Sequence, residues 1–172
     1  MNTENTTNIF DDLVNIITKE LALYENLLVV SKGKQNAIIA DDLNELRENI
    51  HSEQTIVQEA LSVADTRNEY VYMLKQSLDI TDPKPRLRTI IDKSPSDYSI
   101  RLTSLKHQLK TNLDQITLTN RENRYLLNSS LEHLKGMINL FLQAGDESVD
   151  VYDTKGFMSN PSRGYMVLDC QI

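Results

Sequence analysis

The residues that could do covalent or metal chemistry in this chain are three histidines, one cysteine and a run of carboxylates. His51, His107 and His133 lie far apart and show neither H-x-x-x-H nor H-E-x-x-H spacing, so no pair of them sits on one helical face as zinc ligands would. Asp41, Asp42, Glu45 and Glu48 form a carboxylate run, but acids gather at a helix N-terminus for the dipole alone. Cys170 has no second cysteine to pair with and no fixed histidine to activate it, and its solitude suits a reducing cytosol. No G-x-x-x-x-G-K-[ST], G-x-G-x-x-G or G-x-S-x-G occurs. The expectation is a protein with no enzymatic activity, no cofactor and no metal.

Two other groups carry information. Lys84, Arg86, Arg88, Lys93 and Arg101 gather around three of the four prolines, without the interleaved aromatics of a nucleic-acid site. They read as a solvated tip. Asn120 and Asn123 fall where an apolar helical stripe should run. An unpaired buried amide costs about 1 to 3 kcal/mol, so amides in a seam either set register between helices or await a partner chain. Both alternatives stand on the residues alone.

The elements that would position these groups are helices. The 172 residues are enough for one domain, and five glycines, four prolines and no tryptophan leave little turn chemistry for a sandwich or barrel. Asn8 or Thr7 can cap a first helix carrying Phe10, Leu13, Ile17, Leu21, Tyr24 and Leu28 on one stripe, ending at Lys32-Gly33-Lys34 with glycine as a left-handed C-cap. Ile9, Ile16, Leu23, Leu27 and Val30 lie off that stripe, as a partner surface or a three-helix core requires. Asp42, with Glu45 three residues on, starts a second helix in which Leu43, Ile50, Val57, Ala64, Val71 and Leu78 recur every seventh residue. Leu46, Ala60 and Leu74 form a companion row, interrupted by Glu53 and Arg67. Asp82 and Pro83 can open a short helix, and Ser94 or Ser96 can cap a last long one. Its stripe runs Leu102, Leu105, Leu109, Leu113, Ile116, Asn120, Asn123, Leu127, Leu131, Leu134, Ile138 and Phe141.

The predicted fold is therefore all-α: an elongated antiparallel helical hairpin or three-helix bundle, with helices at about 8–32, 41–79, 83–91 and 97–143 in a domain spanning 1–144. Residues 145–172 read as a flexible docking tail, since periodicity ends there while apolar clusters such as Val151-Tyr152 and Phe157-Met158 persist. Residues 41–79 hold nine acids and three bases and residues 82–135 ten bases and six acids, so the second and last helices are expected to meet through opposite charge. The net charge of −7 argues against nucleic-acid binding. No stretch is apolar enough to span a bilayer, and the N-terminus has no basic region followed by an apolar one, so no membrane insertion or export leader is expected. The N-x-S/T matches at Asn5 and Asn128 are then chance.

The pattern Asn120-x-x-Asn123-x-x-Leu126-Leu127 in a long last helix, followed by Tyr152-Asp153-x-x-Gly156, resembles the FlgN family of flagellar export chaperones. The likeness covers roughly Phe10 to Gly156. It implies a cytoplasmic helical chaperone that binds hook-associated proteins, holds their C-terminal, polymerisation-prone segments, and presents them to the flagellar export gate and ATPase complex. The resemblance places Asn120, Asn123, Leu126 and Leu127 in the signature helix and matches Tyr152 to the tyrosine such chaperones present to the gate. Leu131, Leu134, Gly156 and Phe157 complete the expected partner-binding set. The tail departs from shorter members by continuing sixteen residues past Gly156 to end Y-M-V-L-D-C-Q-I. The unbroken seven-residue repeat of the second helix supports a rival reading, a coiled-coil adaptor that associates with itself.

Overall fold

Four helices and no strand make up the described part of the chain, in the order α1 (Thr3–Ile39), α2 (Leu43–Ser77), α3 (Leu87–Lys93) and α4 (Ser96–Asp146). The structure, a computed structural model, describes residues 3–146, and the expected tail lies outside them. The chain divides into two units, Met1–Ser129 and Ser130–Ile172. The fold class is all-α, as predicted.

In the first unit, α1 and α2 form an antiparallel hairpin: Glu20 meets Arg67 and Lys34 meets Glu53, so residue numbers fall along α2 as they rise along α1. The contacts of α4 rise together with those of α1: Asp11 accepts from Tyr98 at 2.9 Å, and Ser31 accepts from Asn123. The first part of α4 thus runs parallel to α1 and antiparallel to α2, the up-down-up arrangement that two direction-reversing connections produce.

The tight α1–α2 turn follows from local chemistry. Asp41 takes φ 54°, its N–H reaches Ile38 O at 3.3 Å, and the Asp42 N–H reaches Ala37 O at 2.9 Å, the paired bonds of a Schellman C-cap. Asp42 is at once the last residue of that motif and the N-cap of α2, its Oδ1 accepting from the Asn44 and Glu45 N–H groups at 3.0 Å each. The predicted cap at Asp42 is therefore present. The predicted stop at Gly33 is not: α1 continues to Ile39. Gly33 is small for another reason, because a Cβ there would lie 2.6 Å from Asn49 Oδ1 on α2. α2 ends like α1, on an aspartate in the left-handed region, Asp79 at φ 49°, with the Ile80 N–H bonded to Lys75 O. Asn and Asp tolerate that conformation better than other side chains, so neither helix end needs one of the few glycines.

The proline-rich connection departs from the expected caps. Asp82 does not start α3; its Oδ1 accepts the Lys84 N–H in a local turn, and the short helix begins after Arg86, with no side-chain cap. Ser94 closes α3 instead of opening α4, its hydroxyl and N–H both donating to Ile91 O. Ile90 and Ile91 anchor α3 in the main core with Phe10, Leu13, Ile17, Val71, Leu74 and Leu102. A smaller cluster of Leu23, Ala60 and Val63, with Ile16 and Ile56 against it, holds the hairpin further along. Of the off-stripe apolar residues of α1, Ile16 and Leu23 are thus covered by α2, Ile9 packs on the main core and Leu27 is buried, so these four belong to the bundle core.

Candidate partner-binding surface

Three polar contacts fix how α1 presents its neighbours, and two involve the residues that interrupt the apolar row of α2. Glu20 is fully buried, its two carboxylate oxygens each 2.7 Å from Arg67 Nη1, and Oε1 also accepts the Tyr24 hydroxyl at 3.1 Å. Burial and the adjacent Glu20 charge push the Tyr24 phenol above its ordinary value. Lys34 Nζ donates to both oxygens of Glu53 at 2.6 Å. Arg67 and Glu53, two heptads apart, therefore work as register pins for the hairpin. Glu20 carries the same signal in the sequence, a charge seated between Ile17 and Tyr24 in an apolar stripe.

The third contact answers for the asparagines. Asn123 is buried, and its Nδ2 donates to the Ser31 carbonyl of α1 at 2.9 Å. Its Oδ1 and the Ser31 hydroxyl are both buried without a hydrogen-bond partner. Asn120 is exposed. The expectation that both amides occupy the seam is corrected for Asn120: Thr119, one residue earlier, is the buried position, because α4 turns its Ile116–Thr119–Asn123 face to α1. Gln35 Nε2, donating to Glu122 Oε2 at 3.0 Å, marks the edge of that contact. Near its start α4 is held by Tyr98, stacked on Phe10 with ring centres 4.9 Å apart, and by Arg101, 4.0 Å from Asp11. The hydrogen bond to Asp11 raises the Tyr98 phenol above its ordinary value. The charge-sorted pairing of α2 with α4 is not found: among the described residues no ion pair joins the two helices.

The expected partner-binding residues separate by environment. Leu126 is half-buried and Leu127 exposed. In the second unit Leu131, Leu134, Met137, Ile138, Leu140, Phe141 and Leu142 are all exposed, Phe141 by 78%. Leu131, Leu134, Ile138 and Phe141 step by three or four, so they form one uncovered apolar row on the helix. Tyr152, Gly156 and Phe157 lie outside the described residues. Among the described residues no group of three or more His, Cys, Asp or Glu side chains could hold a metal ion, and no helix is long and apolar enough to cross a membrane.

A continuous apolar row exposed on a helix is a surface on which a further segment can pack. The model of the FlgN protein family matches residues 1–160 of this chain. The chain belongs to the FlgN family. As a FlgN protein it has the kind of role that family has, a chaperone for flagellar export that binds flagellar proteins as cargo. No curated protein and no solved structure matched it.

Proposed function

We propose that this FlgN protein binds hook-associated proteins in the cytoplasm, masks their polymerisation-prone C-terminal segments and presents them to the flagellar export gate and ATPase complex, with no catalytic step of its own. The observation that carries the reading is the apolar row Leu131, Leu134, Ile138 and Phe141, uncovered over more than two helical turns. Segments that assemble as helices in a filament expose a seam of the same spacing while monomeric, and helix-in-groove packing covers one seam with the other. Asn120, Asn123, Leu126 and Leu127 are the signature positions just before that row. Asn123 acts by fixing α4 on α1, whereas Asn120 and Leu127 are free to meet the guest. Tyr152, with Gly156 and Phe157, serves the handover to the gate.

Capture of purified hook-associated proteins by the full chain tests the masking step. Replacing Leu134 and Ile138 together by Asp is expected to abolish capture while far-UV circular dichroism is unchanged, since both side chains are exposed. Capture at parental affinity would refute the site. The handover step is separate: Tyr152→Ala should lower secretion of the junction proteins without lowering their capture, and unchanged secretion would remove Tyr152 from the mechanism. Light scattering of the free chain separates the adaptor reading, because a stable homodimer of parallel rods is required there and a monomer here.

A further inference from the structure

α2 and α4 share a core at one end of the first unit and lose it toward the other. Val71 and Leu74 lie in one cluster with Leu102 and Leu109. Followed back from Val71, the seven-residue row of α2 passes through half-buried Ala64 to Val57, Ile50 and Leu43, whose exposure climbs from 39% to 41% to 69%. α4 runs the opposite way, so its matching row runs forward through Leu113, Asn120 and Leu127, and all three are exposed. Over the same stretch Ile116, Thr119 and Asn123 stay buried, with Asn123 bonded to Ser31. There α4 is bonded to α1, and two rows that continue from a buried α2–α4 cluster, one on each helix, stand exposed.

The α4 rim of that opening is cationic. At about 100° per residue, Lys106, Lys110, Arg121 and Arg124 fall within an arc of roughly 60° beside Leu113 and Asn120, on the side turned away from Asn123. All four are exposed, and none makes an ion pair among the described residues. Of the acids on this part of the helix, Asp114 lies at the edge of the arc and Glu122 on the α1 side, bonded to Gln35. The α2 rim, with Arg47, Gln54, Gln58 and Asp65, does not neutralise it.

We propose that this opening between the N-terminal half of α2 and the middle of α4 receives an acidic amphipathic helix of the partner protein. Its apolar row fills the space between the Leu43–Val57 and Leu113–Leu127 rows, and its carboxylates meet the four cations. Asn120, the single amide in the open α4 row, fixes the guest's register, as one polar residue does in a coiled-coil seam. A basic helix of equal apolar content is rejected by repulsion. The inference rests on the reading that the open face of α4 takes a partner helix, and adds to it the charge class of that helix and a contribution from α2.

The test uses the full chain and two fluorescent peptides of about three heptads each, with the same apolar row and either glutamate or lysine elsewhere. Fluorescence anisotropy is expected to show the acidic peptide binding about tenfold tighter than the basic one, with the preference shrinking as salt is raised. Arg121→Glu with Arg124→Glu should abolish the preference, since two positive and two negative charges then line the rim, and Ile50→Asp should weaken both peptides. These side chains are exposed, so circular dichroism should be unchanged. Equal binding of the two peptides, or indifference of the acidic peptide to these substitutions, overturns the proposal. So does a concentration-dependent dimer that Ile50→Asp dissolves, which would put a second copy of the chain in the opening. None of the substitutions touches residues 126–143: loss of hook-associated capture with the peptide pattern intact would fail the cargo reading alone, and capture with indifferent peptides would fail this one alone.

Discussion

The Glu20–Arg67 pair allows a prediction with a definite size. Glu20 has no exposed surface, while the Arg67 side chain keeps 26% of its own. Removing one partner of a fully buried pair costs about 3 to 5 kcal/mol, because the surviving charge stays desolvated. Here water can enter along the vacated Arg67 path and the Tyr24 hydroxyl still donates to Glu20, so Arg67→Ala is expected to cost about 2 to 4 kcal/mol. For a chain of this length that lowers Tm by roughly 5 to 15 °C. Replacing both partners together, Glu20→Leu with Arg67→Met, removes the stranded charge and restores packing, so the double variant should lie within about 1 kcal/mol of the parent. Urea unfolding followed by circular dichroism gives the free energies of the parent, Arg67→Ala and the double variant, and adding the singles Glu20→Leu and Arg67→Met closes a double-mutant cycle that extracts the coupling. An Arg67→Ala loss below about 0.5 kcal/mol, or a double variant as unstable as the sum of the singles, would show that the pair is not the pin described above.

Gly33→Ala should be nearly neutral in urea unfolding, since about 1 kcal/mol of helix propensity is offset by displacing the Asn49 side chain from 2.6 Å, and adding Asn49→Ala should release that gain. Asp41→Gly should stabilise by about 0.5 to 1 kcal/mol in the same assay by relieving a left-handed φ of 54°. Tyr24 has its phenol raised in the folded chain, so its contribution is complete below the unfolded value of 10.0 and is lost as pH climbs through the higher folded value. Stability should therefore fall on the alkaline side of pH 10, and Tyr24→Phe should flatten that fall. Asn123→Leu should change stability by no more than about 1 kcal/mol, because loss of the bond to the Ser31 carbonyl is offset by removal of a buried carbonyl oxygen that has no partner; a loss of several kcal/mol by thermal melting would contradict that offset.

Helix existence and the all-α class were legible because apolar residues recur at spacings of three, four and seven over stretches too long for chance. The Asp42 cap was legible because its chemistry is local. Gly33 was misread for a physical reason. A glycine between two lysines carries the signature of a helix end, and only the passage of Asn49 across the groove, sixteen residues away in sequence, distinguishes a close approach from a stop. The true ends, at Asp41 and Asp79, use a residue whose left-handed tolerance is real but weak as a signal. Net charge pointed to the antiparallel course of α2 and α4 that the fold shows, but not to how they meet, which is through Val71, Leu74, Leu102 and Leu109. Totals over 39 and 54 residues do not say which side of a helix bears the charge, and the α4 cations lie on the rim rather than on the buried face.

The two asparagines show how a stripe three residues wide can serve two neighbours at once. Positions 116, 119 and 123 advance by three and four, whereas 113, 120 and 127 advance by seven, two turns at a time; the second set is rotated by roughly 60° from the first at about 100° per residue. In sequence both fit one apolar stripe. In the fold α1 can cover only one of them, and it covers the set that ends on Asn123, where the Ser31 carbonyl meets the amide. Asn123 is therefore answered inside the chain, at the expense of two orphaned oxygens, and Asn120 is left in the set that no helix of the first unit buries. On the proposed reading, an amide that sets register on the inside face and another that meets a guest on the outside face are the same device applied twice. The first fixes where α4 lies on α1, and under the proposal the second acts when another helix lies on α4.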